Sequence, residues 1–221
     1  MAASRRQIHT TEMSDIGRRR MERRMAGGRR SDQRWKDILD GAAAAFRDLG
    51  YAATTLNDVA GRVGVNRASL YYYVGTKQEL LISLLHRPLL QMTANAKAIV
   101  ALELPAEETL VRILRRWIRD MDETPELMLF LSESIPRVLT GWEGEELSAN
   151  AAEYTSLLTA VIAAGMDRGE LRRDVEPGIA MRAILGMFTS IHEWYRPDGP
   201  HSLVEIGSSF TELALASLRP R

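Results

Sequence analysis

Residues 67–77 combine side chains whose chemistry suits contact with a DNA duplex. The run reads Arg-Ala-Ser-Leu-Tyr-Tyr-Tyr-Val-Gly-Thr-Lys. At about 100° per helical residue, Ala68, Ser69 and Tyr72 share one face. On that face a serine hydroxyl can hydrogen-bond a base edge, and a small apolar side chain can touch a thymine methyl. The guanidinium, phenol and ammonium groups beside it can reach phosphates. The pattern therefore predicts a helix that lies against DNA.

The residues that precede this cluster predict a helix-turn-helix that would hold it. Thr55 and Asp58 have the spacing of a capping box, in which a hydroxyl and a carboxylate each satisfy a free amide at a helix start. Gly64 can adopt the left-handed conformation that ends this first helix. Asn66 is a strong N-cap residue, and it opens a second helix over residues 67–74.

Apolar side chains behind the motif are expected to brace it. Leu70 and Val74 share the inner face of the second helix, opposite the small residues. Thr76 and Glu79 repeat the capping-box spacing, so a further helix begins there. The helix before the motif carries an apolar stripe at helical spacing, formed by Trp35, Ile38, Leu39, Ala42, Ala43, Phe46 and Leu49. Three tyrosines packed inside a helical core are the alternative interpretation of this region.

From Trp35 to Leu85 the chain resembles the DNA-binding domain of the tetracycline-repressor (TetR) family of bacterial regulators. The run GVNRASLYYYVGTKQELL carries this resemblance. It implies a homodimeric, all-helical regulator whose first three helices bind DNA and whose C-terminal bundle binds a small effector and the second subunit. Tyr73 and Val74 stand where histidine and phenylalanine are common in the family. By position, the residues expected to contact operator DNA are Thr55, Asn57, Arg67, Ala68, Ser69, Tyr71, Tyr72, Tyr73 and Lys77, the last as a phosphate clamp.

These predictions divide the chain into three parts. Residues 1–33 form an arginine-rich, flexible arm, residues 34–80 the helix-turn-helix domain, and residues 81–221 an effector-binding and dimerisation domain. We expect an all-α fold of about nine helices, with the helix from Thr76 shared by both domains. The helices after the motif are predicted at 76–101, 106–123, 125–139, 144–168, 177–195 and 202–218.

Charge is balanced overall but concentrated at the start of the chain. Basic and acidic residues number 29 each, whereas the first 34 residues hold ten arginines and four acidic residues. Such an arm can follow phosphates or enter the minor groove, and a solvated tail explains it equally well. The chain has no cysteine, which excludes disulfides and favours a reducing cytoplasm. It also lacks an apolar run of about 20 residues, so no membrane partner is expected.

The last two predicted helices are the expected dimer contact, because they combine large apolar residues with small ones that allow close approach. Two such helices from each subunit would form an isologous four-helix contact. The operator would then be palindromic, with half-site centres about 34 Å or more apart. Packing within one chain is the alternative. The residues assigned to the contact are Ala183, Gly186, Phe188, Ile191, Tyr195, Ile206, Phe210 and Leu213.

Large and soft side chains in the middle helices predict a pocket for an apolar effector, with ordinary core as the alternative. Residues 169–178 and 194–199 resemble TetR-family regulators of fatty-acid and sterol catabolism that respond to acyl-CoA thioesters. That resemblance makes Arg172, Arg173, Arg182 and Arg196 candidates for CoA phosphates, although charged helix ends explain them equally. The predicted pocket residues are Trp117, Met121, Met128, Phe130, Trp142, Tyr154, Met187, Phe188 and His192.

Sequence motifs of the common enzyme classes are missing. His192-Glu193 is followed by Trp-Tyr-Arg, so a zinc-binding HExxH helix is excluded, and neither a GxSxG elbow nor a glycine-rich phosphate loop occurs. We therefore predict a DNA-binding regulator with no catalytic residue, cofactor or metal, most simply a repressor that its effector releases. A helical adaptor without sequence-specific DNA binding is the alternative.

Overall fold

The computed structural model of the chain describes residues 28–131 and 141–220, and all regular structure within those ranges is helical. The prediction of an all-α fold is confirmed. The chain divides into two compact units. The first contains the described residues up to Ile82 together with Gly141 to Glu146, and the second contains the rest.

Together with the first residues of a later helix, three helices and the start of a fourth build the first unit. They are α1 (Gly28–Leu49), α2 (Leu56–Val63), α3 (Arg67–Tyr73) and α4 (Lys77–Val100), which continues into the second unit. Residues 28–33, assigned above to the arm, lie in the first turns of α1, and the remainder of the arm lies outside the described residues. The buried core of this unit is formed by Ile38, Ala42, Ala43, Ala45, Phe46, Val59, Ala60, Leu70, Val74, Leu80 and Leu81.

Local side-chain caps define the two short helices. Thr55 Oγ1 accepts a hydrogen bond from the Asp58 amide at 3.3 Å, and the Thr55 amide donates to Asp58 Oδ2 at 2.8 Å. Gly64 ends α2 in the left-handed conformation, with φ +71°. Asn66 Oδ1 accepts from the Ser69 amide at 2.8 Å and starts α3. The predicted helix-turn-helix is therefore confirmed down to its capping residues.

The second unit contains the rest of α4 and most of six further helices. These are α5 (Ala106–Glu123), α6 (Leu127–Phe130), α7 (Gly141–Asp167), α8 (Pro177–Thr189), α9 (Ile191–Trp194) and α10 (Leu203–Leu218). The bounds of α5 agree with the prediction. Helix α7 begins at Gly141, before the predicted start at residue 144, and α6 is a single turn. Residues 132–140 of the predicted helix 125–139 lie outside the described part.

The helix predicted over 177–195 is interrupted at Ser190, so that prediction was wrong. Side-chain hydroxyls compete there for the backbone carbonyls that continue a helix. Ser190 Oγ donates to the Met187 carbonyl at 2.8 Å, and Thr189 Oγ1 donates to the Gly186 carbonyl at 3.2 Å. The chain restarts as the single turn α9.

Helix α5 packs against α10 and α8 in the second unit. Its Trp117 ring meets Phe188 of α8 edge-on at 5.5 Å, and Phe188 meets Phe210 of α10 at 5.8 Å. Helix α10 approaches α5 closely at Gly207, where an added Cβ would lie 2.4 Å from a side-chain carbon of Ile118. Only glycine fits at that position without displacing the Ile118 side chain.

Candidate nucleic-acid interface and effector core

Helix α3 presents the predicted face to solvent. Arg67, Ala68 and Ser69 are exposed, and Tyr72 has half of its surface exposed. On the opposite side Leu70 is fully buried. Tyr71 and Tyr73 are half-buried at the flanks, so the alternative in which all three phenols pack inside a core is wrong. The exposed face has the small-small-aromatic pattern that lets a helix approach base edges.

One flank of α3 holds an ordered cation. The Arg67 guanidinium donates to the Tyr71 hydroxyl at 3.2 Å and lies 5.2 Å from the centre of the Tyr71 ring. This contact uses one N–H of the five that a guanidinium carries. The remaining N–H donors of the exposed Arg67 side chain can bind a phosphate. Because the Tyr71 ring already restricts this side chain, less conformational entropy is lost when the phosphate binds.

Lys77 has a different environment from the one predicted. Its ammonium donates to the backbone carbonyls of Tyr51, Ala52 and Thr54 at 2.7, 2.8 and 3.0 Å. It also lies 4.6 Å from the centre of the Tyr51 ring. All three ammonium hydrogens are thus directed at the loop between α1 and α2. We therefore correct its predicted role as a phosphate clamp: this side chain ties that loop to the first turn of α4.

The other two predicted DNA-contacting residues lie at the start of α2. Asn57 is exposed, and Thr55 is exposed but engaged in the capping box. Hydrogen bonds from the Thr55 side chain and backbone hold the pKa of the Asp58 carboxyl below its ordinary value. Asp58 therefore stays ionised and keeps the cap closed at neutral pH.

The predicted dimer contact is only partly at the surface. Phe188, Ile191 and Ile206 are buried within their own chain, so their assignment to the contact was wrong. The periodicity of an apolar helix does not distinguish a core residue from an interface residue. Ile179, which was not predicted, is strongly exposed on α8. Of the remaining predicted residues, Ala183, Gly186 and Leu213 are exposed, whereas Tyr195 and Phe210 are half-buried.

The predicted effector residues fall into three groups. Buried side chains are those of Trp117, Met121, Tyr154 and Phe188. Half-buried ones are Met128, Met187 and His192, and His192 Nδ1 lies 2.6 Å from the Thr189 carbonyl. The side chains of Phe130 and Trp142 lie outside the described part of the chain. The structure brings Trp117 and Phe188 into contact.

Three of the four candidate arginines for CoA phosphates make local contacts. Arg172 pairs with Asp174 through two bonds of 2.6 Å, and Arg173 donates to the Asp167 carbonyl at 2.6 Å, closing the end of α7. Arg196 donates to the Tyr195 carbonyl at 2.8 Å. These contacts explain the three side chains without a ligand. Arg182 is exposed on α8.

Sequence reasoning missed Asp120, a buried acidic residue of α5. Its side chain pairs with Arg116 and accepts from Asn95, yet its Oδ2 atom is buried without a hydrogen-bond partner among the described residues. The signal was available, because Asp120 lies three residues after Trp117 and seven after Ile113, on the apolar stripe of α5.

A separate groove of about 580 Å³ opens in the second unit, and none of the predicted pocket residues lines it. It lies between the loop after α4, the start of α5 and the end of α7, and Arg168 and Glu170 form an ion pair at its edge. Its lining residues are Val100, Glu103, Leu104, Pro105, Ala106, Thr109, Leu157, Ala160, Val161, Ala164, Arg168 and Glu170.

Two kinds of feature are absent from the part of the chain that the structure describes. Acidic and histidine side chains form no group of three or more there that could hold a metal ion. Among the same residues, no helix is long and apolar enough to cross a membrane.

Two protein-family descriptions match this sequence. Residues 38–84 match the bacterial regulatory proteins of the tetR family. Residues 103–218, which make up more than half of the chain, match the tetracyclin repressor-like C-terminal domain. The first match contains α2 and α3, and the second contains α5 to α10.

Individual relatives agree along most of the chain. The HTH-type transcriptional repressor KstR2 of Rhodococcus jostii is 25% identical over 182 residues, which cover 82% of this chain and 89% of that protein. The crystal structure of PfmR, a TetR family transcriptional regulator from Thermus thermophilus, is 29% identical with a TM-score of 0.69, covering 81% and 97%. AibR in complex with isovaleryl coenzyme A and operator DNA is 24% identical with a TM-score of 0.70, covering 81% and 97%, and supports the fold.

Proposed function

Because this chain belongs to the TetR family of bacterial DNA-binding regulators, we propose that it is a repressor which binds a palindromic operator as a homodimer. As a member of that family it is a ligand-responsive transcription factor and not an enzyme, and the adaptor alternative is not favoured. A repressor of this kind acts on chromosomal DNA, in the cytoplasm and at the nucleoid when bound.

The exposed face of α3 is the observation that carries the DNA-binding proposal. Ala68 and Ser69 leave room for the helix to sink into the major groove, and the Ser69 hydroxyl offers a donor and an acceptor to a base edge. Arg67 and the flanking tyrosines contact phosphates on the groove walls. Thr55 and Asn57, at the start of α2, contact the DNA backbone next to those phosphates. Base specificity therefore rests on Ser69 and Tyr72, and affinity rests on the flanking groups.

Dimerisation is assigned to one side of α8 and α10. Ile179, Ala183 and Gly186 recur at spacings of four and three residues along α8, and all are exposed. Leu213 is 60% exposed on α10, with Phe210 half-buried one turn before it. A large aliphatic side chain beside small residues suits close packing against a second copy of the same helices.

The effector is proposed to bind among α4, α5 and α7, beside Trp117, Met121 and Tyr154. Those side chains are apolar over most of their surface and suit an apolar ligand. An acyl-CoA thioester is the finer candidate. It is supported by AibR, whose structure holds isovaleryl coenzyme A. The contacts made by Arg172, Arg173 and Arg196 leave Arg182 as the arginine available for a CoA phosphate.

Effector binding is proposed to act as a population shift. The effector favours an arrangement of the dimer in which the two α3 helices no longer match successive major grooves. The operator then loses affinity by the coupling free energy, typically ~1 to 3 kcal/mol, or about 5- to 150-fold. The same coupling requires operator DNA to weaken effector binding by an equal factor.

A fluorescence-anisotropy titration tests this function. An operator is first obtained by selection from genomic fragments, and its dissociation constant is then measured with and without a series of acyl-CoA thioesters of increasing chain length. We expect operator affinity to fall by about 5- to 150-fold for one chain-length class and to remain constant with free coenzyme A. Equal affinity with every thioester removes the acyl-CoA assignment. Absence of any selected operator removes the repressor assignment.

A further inference from the structure

Helix α5 carries a carboxylate that is only half satisfied. Asp120 is 8% exposed, and its two oxygens have very different surroundings. Oδ1 accepts from Arg116 Nε at 2.8 Å, from the other arm of the same guanidinium, and from Asn95 Nδ2 at 3.3 Å. Oδ2 is buried, and no hydrogen-bond donor among the described residues reaches it.

An unsatisfied buried oxygen of this kind needs an explanation. Leaving a buried acceptor without a donor is costly, so native proteins almost always satisfy such groups with protein, water or ligand atoms. Three donors crowd onto Oδ1, while none from the described residues reaches Oδ2. Helix α5 therefore holds a buried carboxylate in a fixed orientation, with one oxygen for which the described residues supply no donor.

The charge around Asp120 selects the kind of partner. The Arg116 guanidinium already compensates the carboxylate, and Arg116 also contacts Glu123 at 3.2 Å. An added ammonium group would have to give up its hydration in a buried site, which is costly. A carbonyl or carboxylate would place lone pairs against the lone pairs of Oδ2. A neutral donor, such as a hydroxyl, meets neither penalty.

The side chains near Asp120 select the rest of the partner. Trp117 and Met121, its neighbours on α5, are buried, and so is Tyr154 of α7. Burial, and then the charge of Asp120, raises the pKa of the Tyr154 phenol far above its ordinary value, so this hydroxyl stays protonated. The part of a ligand that lies beside these side chains must be apolar except at the atom that meets Oδ2.

We propose that Asp120 Oδ2 accepts a hydrogen bond from the effector, and that the buried end of the effector is an apolar segment that carries an alcohol. The proposal rests on the proposed effector-released repressor and adds the chemistry of the buried end of the ligand. It also makes Asp120 a specificity-determining residue, because a site that hydrogen-bonds a hydroxyl discriminates strongly against an analogue that lacks it.

Two matched probes test the proposal, 4-pentylcyclohexanol and 4-pentylcyclohexanone, which differ at one oxygen. Their dissociation constants are measured by calorimetry on the full chain. Wild type is expected to bind the alcohol at least about tenfold more tightly. In Asp120→Asn the side-chain oxygen still accepts from Arg116 and Asn95, while the amide donates at the position of Oδ2. The oxygen of either probe can accept that bond, so the preference for the alcohol should be lost. Asp122→Asn removes the same charge at an exposed position of α5 and should keep the wild-type preference.

The outcomes distinguish a failure of the Asp120 proposal from a failure of the proposed effector-released repressor. Equal affinity of wild type for the two probes, including failure to bind either, overturns the role of Asp120. An alcohol preference that survives in Asp120→Asn also overturns it. The wild-type measurement alone decides if that variant does not fold. Selective binding of the alcohol without any effect on operator affinity supports the site but contradicts the effector-released repressor.

Discussion

Helices α3 and α5 place their functional groups in opposite ways. Helix α3 has seven residues, of which Leu70 is buried, so nearly all of its side chains are available to a partner. Helix α5 has eighteen residues, of which nine are buried, and the unsatisfied oxygen of Asp120 lies among them. A partner of α3 meets a surface that already exists, whereas a partner of α5 must enter a packed interior. Surface recognition is therefore specified by local residues, and core recognition by packing.

The largest change in stability is expected within α3, between its buried and its exposed side. Leu70→Ala removes the buried side of the helix and should destabilise the first unit by about 2–5 kcal/mol, the usual range for a fully buried leucine. Ser69→Ala changes its exposed neighbour and should alter stability by less than about 0.5 kcal/mol. Urea denaturation followed by circular dichroism measures both. Similar losses for the two variants would contradict the division of α3 into a buried and an exposed side.

The next largest effects, on stability and on the salt dependence of operator binding, distinguish residues that contact DNA from residues that position the helices. Lys77→Met removes three hydrogen bonds to loop carbonyls and should cost about 1–3 kcal/mol of stability. Because its ammonium is already engaged, the salt dependence of operator binding should keep its slope. Arg67→Ala should instead leave stability almost unchanged and reduce that slope by about 0.9, the loss of one phosphate contact. A reduced slope in Lys77→Met would restore the phosphate-clamp assignment.

A smaller effect, on the dimer dissociation constant, is expected at the surface of the second unit. Leu213→Glu puts a charge on the proposed dimer face of α10 and should raise the dimer dissociation constant by about tenfold or more, ~1.4 kcal/mol. Leu102→Glu is the matched control, since Leu102 is similarly exposed but lies in the turn after α4. Sedimentation velocity over a concentration series gives both constants. If the two variants dimerise alike, α10 is not part of the contact.

The smallest effect concerns the cap that starts α2. Thr55→Ala removes the hydroxyl half of the capping box and should cost about 1 kcal/mol. Asn57→Ala is the control, because Asn57 is exposed in the first turn of α2 and takes no part in the cap. Thermal denaturation of the two variants side by side isolates the contribution of the cap. Equal loss in both would contradict a specific role of the capping box.

The same cap predicts a pH dependence. Hydrogen bonds from Thr55 lower the folded-state pKa of Asp58 below its ordinary 3.8. The carboxylate therefore contributes stability that is fully present above pH 3.8 and is lost as the pH falls through the lowered pKa. In Thr55→Ala this acid-induced loss should be smaller. If urea denaturation between pH 5 and about 2 gave the same profile for the variant as for wild type, the cause assigned to the shift would be wrong.

The sequence predicted those features of the fold that depend on neighbouring residues. The caps at Thr55 and Asn66 join residues three apart, so their spacing alone revealed them. The break at Ser190 was missed because it depends on hydroxyls that compete with the helix for carbonyls. The bounds of α5 were predicted because its start and end are marked by Pro105 and Thr124.

Contacts between distant residues were beyond the sequence. Lys77 binds carbonyls more than twenty residues away, and a lysine at a helix start is equally suited to a phosphate. Phe188, Ile191 and Ile206 have the periodicity of an interface and of a core alike, and packing decided between the two. The place of Asp120 on the apolar stripe of α5 could be read from the sequence, whereas its contact with Asn95, 25 residues away, could not.

Selection of DNA from a random pool tests whether the exposed face of α3 reads the operator. The full chain and its Ser69→Ala variant are each used to enrich double-stranded oligonucleotides, and the enriched sequences are compared. We expect wild type to enrich a palindromic sequence, and Ser69→Ala to keep the same half-site spacing with relaxed preference at one base pair in each half. No enriched sequence, or identical enrichment by the two proteins, would contradict the claim that the exposed face of α3 reads the operator.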